Sequence, residues 1–292
     1  AAGTNHTAPG SKTVAVSAEF LPAVGTALND CSWEDISKIA AAGLASQYWS
    51  VGATKTITIN GKVGTLSLSN LSVDVFILGF DHNSSVEGSN RIHFQIGKIS
   101  SKLIGLIDGG YNSYDTNGTK YFNMNHWGNY NYGGWAGCDL RYDVLGSTDV
   151  APSGYGSAVT TSRVGYNASA TCATNPVANT LMAALPADLR AVMKGVTKYA
   201  DAVGNGSNVV ANVKAFTDYL FLLAEFEVQG TRSYANQYEQ NYQKQYAYYS
   251  SGNSKVMYRH SATGSTAWWW LRSASSGTNL FCYVYADGSA GS

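Results

Sequence analysis

The sequence predicts an α+β fold on three observations. Two segments place apolar residues at helical spacing, and several short segments alternate as strands do. These elements follow one another without a strand–helix–strand rhythm, which favours antiparallel hairpins over a parallel sheet. With 292 residues and 45% hydrophobic content, the chain can form one large domain or two smaller ones, each with its own core.

The first predicted helix begins after Ser32. Ser32 is a candidate N-cap, and Asp35 stands at the third helical position, as in a capping box. Apolar residues follow at helical spacing: Ile36, Ile39, Ala40 and Leu44. Residues 1–30 are small and polar, so we expect a loosely packed tail, either a linker or the trimmed edge of a longer polypeptide. Residues 31–292 then form the main domain.

Strands are predicted next along the chain. Residues 54–59 form a strand, Asn60-Gly61 a tight hairpin turn, and residues 63–68 the return strand. Residues 73–80 are strongly apolar and β-branched, as a buried strand is. Residues 91–96 alternate and should lie at the edge of the same sheet.

The middle of the chain, residues 109–175, is rich in Gly, Tyr, Asn and Ser and predicts long irregular loops. A second helix is predicted from Pro186 to about Ala202, because Pro suits a first helical turn. Its expected buried stripe consists of Leu189, Val192, Met193, Val196 and Tyr199.

The last third mixes both patterns. Residues 218–228 are apolar enough for a strand or a helix, and tyrosines at 238, 242, 246 and 249 indicate a helix over 235–249. Residues 256–259 and 268–273 are predicted strands that lead into a final strand at 281–285.

The final strand is predicted to have two different faces. Side chains alternate along a strand, so Cys282 and Val284 should point to the core, and Phe281, Tyr283 and Tyr285 to the other side. Just before it, Trp269 is expected to pack inward with Leu271, and Trp268 and Trp270 to take the opposite face. The two tyrosines are compatible with ligand binding and with plain surface exposure.

Composition excludes several classes of partner. Charged residues are 13% of the chain, and 19 basic residues balance 19 acidic ones, which argues against nucleic acid or an anionic membrane surface. The sequence contains no run of 18 apolar residues, which is the length that a membrane-spanning helix needs. The cysteines are too dispersed for a zinc site, and they permit either two disulfides in one of three connectivities or four buried thiols: Cys31, Cys138, Cys172 and Cys282.

One carboxylate pair could carry chemistry. Glu225 and Glu227 would share one face of a strand, where they could act as a general acid and base or bind a cation. The alternative, which we favour, is charge pairing with Arg232, Arg259 or Arg272. The five histidines show no paired spacing, so we expect no metal and no cofactor.

A set of motifs resembles a family of C-type-lectin-like domains of gut bacteria and their phages that carries a WWLRS signature. The resemblance covers roughly residues 31–292. The matching segments are Ser32-Trp33-Glu34-Asp35-Ile36, Val75-Phe76-Ile77-Leu78-Gly79-Phe80-Asp81, Gly133-Gly134-Trp135, Leu140-Arg141, Leu185-Pro186-Ala187-Asp188-Leu189-Arg190, Leu223-Ala224-Glu225-Phe226-Glu227 and Trp269-Trp270-Leu271-Arg272-Ser273. The resemblance implies two main helices, small antiparallel sheets and long irregular loops, as in formylglycine-generating enzymes.

Family members are similar to the variable proteins of diversity-generating retroelements, including the phage major tropism determinant, which diversify ligand-contacting residues near the C-terminus. They usually continue past the position of Ser292 into a final core strand. The ligand-binding residues that the resemblance and the aromatic strand together predict are Trp268, Trp270, Ser275, Ser276, Thr278, Asn279, Tyr283, Tyr285, Asp287 and Ser289.

The resulting functional hypothesis is a non-enzymatic receptor-binding protein on a virion surface, or else on a bacterial surface or secreted. Its expected partner is a bacterial cell-surface protein or glycan, and a homotrimer or attachment to a larger virion assembly is expected by analogy. The alternatives are a virion structural or decoration protein, a glycan hydrolase using Glu225 and Glu227, and an oxidase of the formylglycine-generating type. That oxidase chemistry needs a cysteine pair, and only Cys282 lies near the relevant region.

Overall fold

The computed structural model describes residues 21–64, 66–106, 123–125, 128–147 and 167–292. Much of the predicted irregular middle and residues 1–20 of the predicted tail lie outside the described residues. The described part of that tail is mostly exposed but contacts the main domain. Leu28 is buried, and the carbonyl groups of Pro22 and Thr26 accept hydrogen bonds from Tyr48 and Trp49.

The described residues form a mixed α+β structure with short helices and small sheets, as predicted. The α-helices are α1 (Trp33–Ala41), α2 (Ala45–Tyr48), α3 (Ser84–Glu87), α4 (Thr171–Thr174), α5 (Leu181–Ala184), α6 (Ala187–Val192), α7 (Glu225–Gln229) and α8 (Ala247–Ser250). Short 3-10 helices occur at Leu28–Asp30, Trp135–Gly137, Val210–Asn212 and Gln237–Asn241, and a π-helix occurs at Leu140–Val144.

In the part of the chain that the structure describes, eleven strands form three sheets. The six-stranded sheet has the order β1 (Thr54–Val63), β2 (Leu66–Phe80), β3 (Ile92–Ile99), β4 (Lys102–Gly105), β7 (Met257–Arg259) and β8 (Ala262–Ala267). The second sheet joins β9 (Trp269–Ala274), β10 (Phe281–Val284) and β11 (Ala290–Gly291), and the third joins β5 (Val196–Asp201) to β6 (Val213–Asp218). All pairings are antiparallel except β4 with β7.

The first helix forms as predicted, whereas the first hairpin has a later turn, and its return strand and the predicted strand 73–80 are one strand, β2. Ser32 caps α1 by accepting a hydrogen bond from the backbone N–H of Asp35 over 3.0 Å. In the hairpin, however, β1 continues through Asn60-Gly61 to Val63, so the turn predicted there is wrong. The register shifts at that point instead, and the lack of a side chain at Gly61 lets Ala184 of α5 approach the strand.

Two further predictions are corrected. β3 does not lie at a sheet edge, because it pairs with β2 on one side and with β4 on the other. The predicted helix from Pro186 to Ala202 ends at Val192, and its second half is β5. In β5 the β-branched and alternating residues pair with β6, which outweighs the helical spacing of the stripe.

The tyrosines at 238, 242, 246 and 249 do not lie on one continuous helix. A short 3-10 helix at Gln237–Asn241 and α8 flank a segment of irregular backbone. Tyr246 and Tyr249 are buried in the core, where each hydroxyl group finds a hydrogen-bond partner, which fixes this segment by tertiary contacts rather than by helical periodicity.

The core consists of two clusters of buried apolar residues. The larger contains α1, the apolar faces of β1 and β2, and the three cysteines Cys31, Cys138 and Cys172. The smaller lies between β2, α7 and the C-terminal sheet and contains Cys282. All four cysteines are free and buried, which selects the thiol alternative over the two disulfides.

Candidate ligand-binding surface

The predicted ligand-binding residues lie on or beside one hairpin formed by β9, β10 and the connecting residues 275–280, with β11 as its third strand. Tyr283 of β10 pairs with Trp270 of β9, and Val284 pairs with Trp269. On the inner face, Leu271, Cys282 and Val284 are fully buried in the smaller core cluster. This buried face provides the rigid base that the alternating sequence predicted.

One side chain of the final strand departs from the prediction. Phe281 was expected beside the tyrosines, but it is fully buried in the larger core cluster. The cause is a register shift between Phe281 and Tyr283, which turns two successive side chains toward the interior. Beyond the shift, Tyr283 and Tyr285 are half-buried on the outer face, as predicted.

The outer face carries a cluster of aromatic rings around Trp268, which is 48% exposed. The Trp268 ring stacks parallel to Tyr283 at a centroid distance of 5.0 Å and meets Tyr285 edge-on at 4.9 Å. Trp270 meets Tyr283 edge-on from the neighbouring strand. These are the favourable geometries for aromatic pairs, so the cluster holds its own shape.

Two local features fix the tyrosine rings. The Tyr283 hydroxyl group donates a hydrogen bond to the Tyr285 hydroxyl group over 2.9 Å. A Cβ atom at Gly291 of β11 would lie 2.5 Å from Tyr283 Cε2 and 2.6 Å from Tyr285 Cε2. Glycine at this position therefore leaves room for both rings against β11.

The connecting residues 275–280 present small polar side chains. Ser275 is buried, and its hydroxyl group accepts hydrogen bonds from the backbone N–H groups of Gly277 and Thr278. It therefore shapes the loop, and its predicted contact with ligand is not supported by this geometry. Ser276 and Asn279 are half-buried and Thr278 is exposed, so these three predicted residues reach solvent.

The last two predicted residues form a turn of their own. Asp287 Oδ1 accepts hydrogen bonds from the Ser289 backbone N–H and hydroxyl groups. These bonds hold the pKa of Asp287 below its ordinary value. Both side chains are exposed at the end of the hairpin, and the Tyr285 N–H donates to the Ser289 carbonyl group, which connects the turn to the aromatic cluster.

Asn131 anchors the loop, and the sequence analysis missed it. This side chain is fully buried, and its Nδ2 donates to the carbonyl groups of Leu280, Thr278 and Ser275, over 2.6 Å to the first. Its backbone N–H donates to the Asn279 carbonyl group. No sequence signal distinguishes this asparagine from its many neighbours of the same type, because the contact is made across about 150 residues of chain.

A cavity lies beside the aromatic cluster. Its volume is about 700 Å³, and its wall includes Trp268, Trp270 and Tyr283 together with apolar residues such as Leu223 and Met257. Concave apolar space next to exposed aromatic and polar groups is typical of ligand sites. The aromatic side chains thus contact both the solvent and this interior space.

Behind the hairpin lies a buried cluster of charges centred on Glu227, at the third position of α7. Arg272 of β9 donates two hydrogen bonds to its carboxylate, over 2.6 and 2.8 Å. Lys198 of β5 donates to Glu227 over 3.0 Å, to Glu87 over 2.9 Å and to the Tyr246 hydroxyl group over 2.7 Å. This charge cluster joins α3, β5, α7 and β9 in the interior.

Burial and charge set the protonation states in the charge cluster. Burial opposes ionisation of Glu227, but Arg272 and Lys198 outweigh it and lower its pKa. Burial raises the pKa of Glu87 to about 7 against the opposing effect of Lys198. Burial lowers the pKa of His82 to about 4, and it also lowers that of His93. Both histidines are therefore neutral at pH 7.

One group of atoms in this cluster has metal-ligand spacing. Ligand atoms of His82, Glu87 and Glu227 lie within 4.8 Å of one another. The Lys198 ammonium group already bonds to both carboxylates, so a divalent cation would have to displace it or add buried positive charge. The donor set therefore fits an internal ion-pair network better than a metal site.

Glu225 and Glu227, the predicted carboxylate pair, are both fully buried. At Glu227 the favoured alternative, charge pairing with an arginine, is confirmed, because Arg272 binds it. Glu225 instead accepts hydrogen bonds from the backbone N–H groups of Ser233, Tyr234 and Ala235. Because α7 is a helix, the two carboxylates do not share a strand face. Neither carboxylate offers a solvent-facing acid or base.

The oxidase alternative needs a cysteine pair. Burial raises the pKa of the Cys282 thiol, and this thiol lies in a different core cluster from the other cysteines.

None of the described helices has the length and apolar content needed to cross a bilayer.

Searches of curated proteins and of solved structures gave no match to this chain. A family described as "Domain of unknown function (DUF6273)" matches residues 118–292, which is more than half of the chain and includes β5 to β11. The chain therefore belongs to the DUF6273 family.

Proposed function

We propose that this protein is a non-enzymatic binding protein that uses the outer face of the β9–β10 hairpin to recognise a bacterial cell-surface protein or glycan. The observation that carries the proposal is the exposed Trp268, stacked on Tyr283 and supported by a fully buried strand face. A large exposed aromatic side chain costs little stability when removed, so its placement favours a role in binding.

The surface combines features that evolved binding sites share. Tyrosine and tryptophan offer large contact areas with few rotatable bonds, and serine, threonine and asparagine offer adaptable hydrogen bonds. Here the aromatic residues are held by ring contacts, and the polar residues project from a loop fixed at its base by Asn131. A preorganised surface loses less conformational entropy on binding.

The fold within the α+β class is proposed to be C-type-lectin-like. Two of the motifs that carry this resemblance contact each other, because Arg272 of the WWLRS segment binds Glu227 of the Leu223–Glu227 segment. A third motif is likewise internal, since Arg141 binds Asp218 in the core. Such contacts give the motifs a shared structural role within one fold.

The resemblance also supports a location on a virion surface, with a bacterial surface or a secreted form as the alternative. Attachment proteins of this kind combine several weak sites, so we propose multivalent display as a homotrimer or on a larger assembly. The residues at the hairpin tip are the ones expected to vary between copies if a diversity-generating retroelement acts on this region.

The test is binding of the purified chain to whole gut-bacterial cells, beside a Tyr283→Ala/Tyr285→Ala variant. A Val177→Ala variant is the control, because Val177 is an exposed apolar side chain at a turn beside α5. We expect the double variant to lose binding while it keeps the wild-type unfolding transition, and the control to bind normally. Undiminished binding by a folded double variant would contradict the proposal.

A further inference from the structure

The aromatic surface extends beyond the last 25 residues of the chain. Three aromatic side chains are exposed among the described residues: Tyr130 at 38%, Tyr234 at 40% and Trp268 at 48%. They come from three separate segments of the sequence. Tyr130 and Tyr234 both lie against residues 275–280, the loop of the same hairpin that Trp268 begins.

Tyr130 borders the loop on one side. Its backbone forms an isolated β-bridge with Leu280, and its ring stacks on Tyr132 at a centroid distance of 5.8 Å. Asn279 donates a side-chain hydrogen bond to the Tyr132 hydroxyl group over 3.3 Å. The pair of rings therefore continues the surface that Asn279 and its neighbours present.

Tyr234 borders the loop on the other side. Its carbonyl group accepts hydrogen bonds from the Ser276 backbone N–H and hydroxyl groups, over 2.8 and 2.9 Å. Its own backbone N–H donates to the buried Glu225 carboxylate, which holds this segment in place. The buried Glu225 thus positions an exposed aromatic residue.

The polar chemistry between these rings is uncharged. Thr278 and Asn279 offer hydroxyl and amide groups that both donate and accept hydrogen bonds, and Ser276 adds a hydroxyl group that already bonds Arg232 and the Tyr234 carbonyl group. The charged side chains beside the loop and the following turn are engaged within the protein, since Arg232 binds the Ala235 carbonyl and the Ser276 hydroxyl groups, and Asp287 binds Ser289. A ligand without charge fits this surface better than an anion or a cation does.

We propose that Tyr130 and Tyr234, which border the loop at one end of the hairpin, extend the aromatic platform of Trp268 at its other end, and that this platform binds an uncharged glycan. The inference rests on the binding function proposed above. The apolar C–H faces of a sugar ring suit aromatic faces, and its hydroxyl groups suit the serine, threonine and asparagine side chains between them. Several sugar units are needed to reach rings on both sides of the loop.

The test is a glycan array of neutral and acidic oligosaccharides, probed with the wild type, Tyr130→Ala and Tyr234→Ala. Each substitution should weaken binding to neutral glycans on the order of tenfold, because tyrosine and tryptophan are among the residues that most often dominate the binding energy of an interface. Tyr130→Phe and Tyr234→Phe keep the ring and should restore most of the binding. Val177→Ala is the control, and unfolding curves identify variants that fail to fold.

The outcomes separate this inference from the proposed function. If Tyr283→Ala/Tyr285→Ala abolishes binding while Tyr130→Ala and Tyr234→Ala bind as the wild type does, the platform is wrong and the binding hairpin stands. Binding to immobilised cell-surface proteins but to no glycan, or a preference for acidic glycans, overturns the uncharged-glycan assignment. Equal binding by all variants overturns the hairpin as well.

Discussion

Strand β9 joins two regions of opposite character. In its C-terminal half, Arg272 joins Glu227, Lys198 and Glu87 in the buried charge cluster. At its N-terminal end, Trp268 and the tyrosines of β10 form the exposed aromatic surface. A chain with only 13% charged residues thus keeps several of them in the interior and leaves large aromatic rings at the surface.

This difference indicates that the charge cluster stabilises the fold and that the aromatic surface is available for binding. Buried charges are costly unless each has a partner, so the charge cluster makes the positions of α7, β5 and β9 interdependent. The aromatic surface contributes ring contacts that are individually modest. Substitutions in the first region should change stability, and substitutions in the second should change binding.

The largest effect is expected from Arg272→Ala. It leaves the Glu227 carboxylate buried without its bidentate partner, which should lower the free energy of unfolding by about 3–5 kcal/mol. Urea denaturation measures this loss. Glu34→Ala breaks an exposed ion pair with Lys38 and should cost at most about 1 kcal/mol. Similar small losses in both variants would remove the distinction between the interior and the surface.

Asn131→Ala should have an intermediate effect. Three carbonyl groups of the loop lose their donor, for a cost of about 1–3 kcal/mol. Amide hydrogen exchange should speed up over residues 275–280 in particular. Asn253→Ala removes a single bond to the Tyr248 carbonyl group near the surface and serves as the matched control. Unchanged exchange in the loop would show that Asn131 does not anchor it.

The pH dependence of stability tests the charge cluster. The pKa of Glu87 is raised in the folded state to about 7 from 4.5, so its proton stabilises the fold at low pH, and this contribution is lost as pH rises toward 7. The histidines act in the opposite direction, since the pKa of His82 falls from 6.5 to about 4. The two effects offset each other in the wild type.

Glu87→Gln should remove the Glu87 contribution and leave those of the histidines and of Glu239, whose pKa burial also raises to about 7. Relative to the wild type, its free energy of unfolding should rise between pH 4.5 and 7, by up to about 1.4 kcal/mol per pH unit, because one proton fewer is bound by the folded state. Denaturation curves at several pH values measure the slope. A difference that does not vary with pH would mean that Glu87 has an ordinary pKa.

Trp268→Ala should have the smallest effect on stability. The side chain is about half exposed and its ring contacts are worth about 1 kcal/mol. Trp135→Ala is the comparison, because Trp135 is fully buried and donates to Asp218, and its loss should cost about 3–5 kcal/mol. Thermal and urea unfolding measure both. A large loss for Trp268→Ala would make this ring part of the core.

Local sequence signals predicted several elements well. The capped first helix, the buried β2 strand, and the alternation of Cys282, Tyr283 and Val284 all form. The signals failed where tertiary pairing decides the structure. β5 has helical spacing in sequence, yet it pairs with β6, and Phe281 turns inward only because the register shifts.

The sequence predicted the aromatic residues of the candidate surface. It did not predict the residues that hold the hairpin in place. Trp268 stands out as the first of three adjacent tryptophans, and Tyr283 and Tyr285 stand out because they alternate with Cys282 and Val284. Asn131 and Lys198 act on the hairpin across long stretches of chain, and each resembles any other surface residue of its type in sequence. Only the folded structure places Asn131 and Lys198 where they can act on the hairpin.

Binding by Trp268→Ala tests the central claim most directly. On an array of neutral oligosaccharides, and on whole gut-bacterial cells, the folded variant should bind at least about tenfold more weakly than the wild type, while Val177→Ala binds normally. Its unfolding curve should stay close to that of the wild type. Wild-type binding by a folded Trp268→Ala variant would contradict the assignment of the aromatic surface as the binding surface.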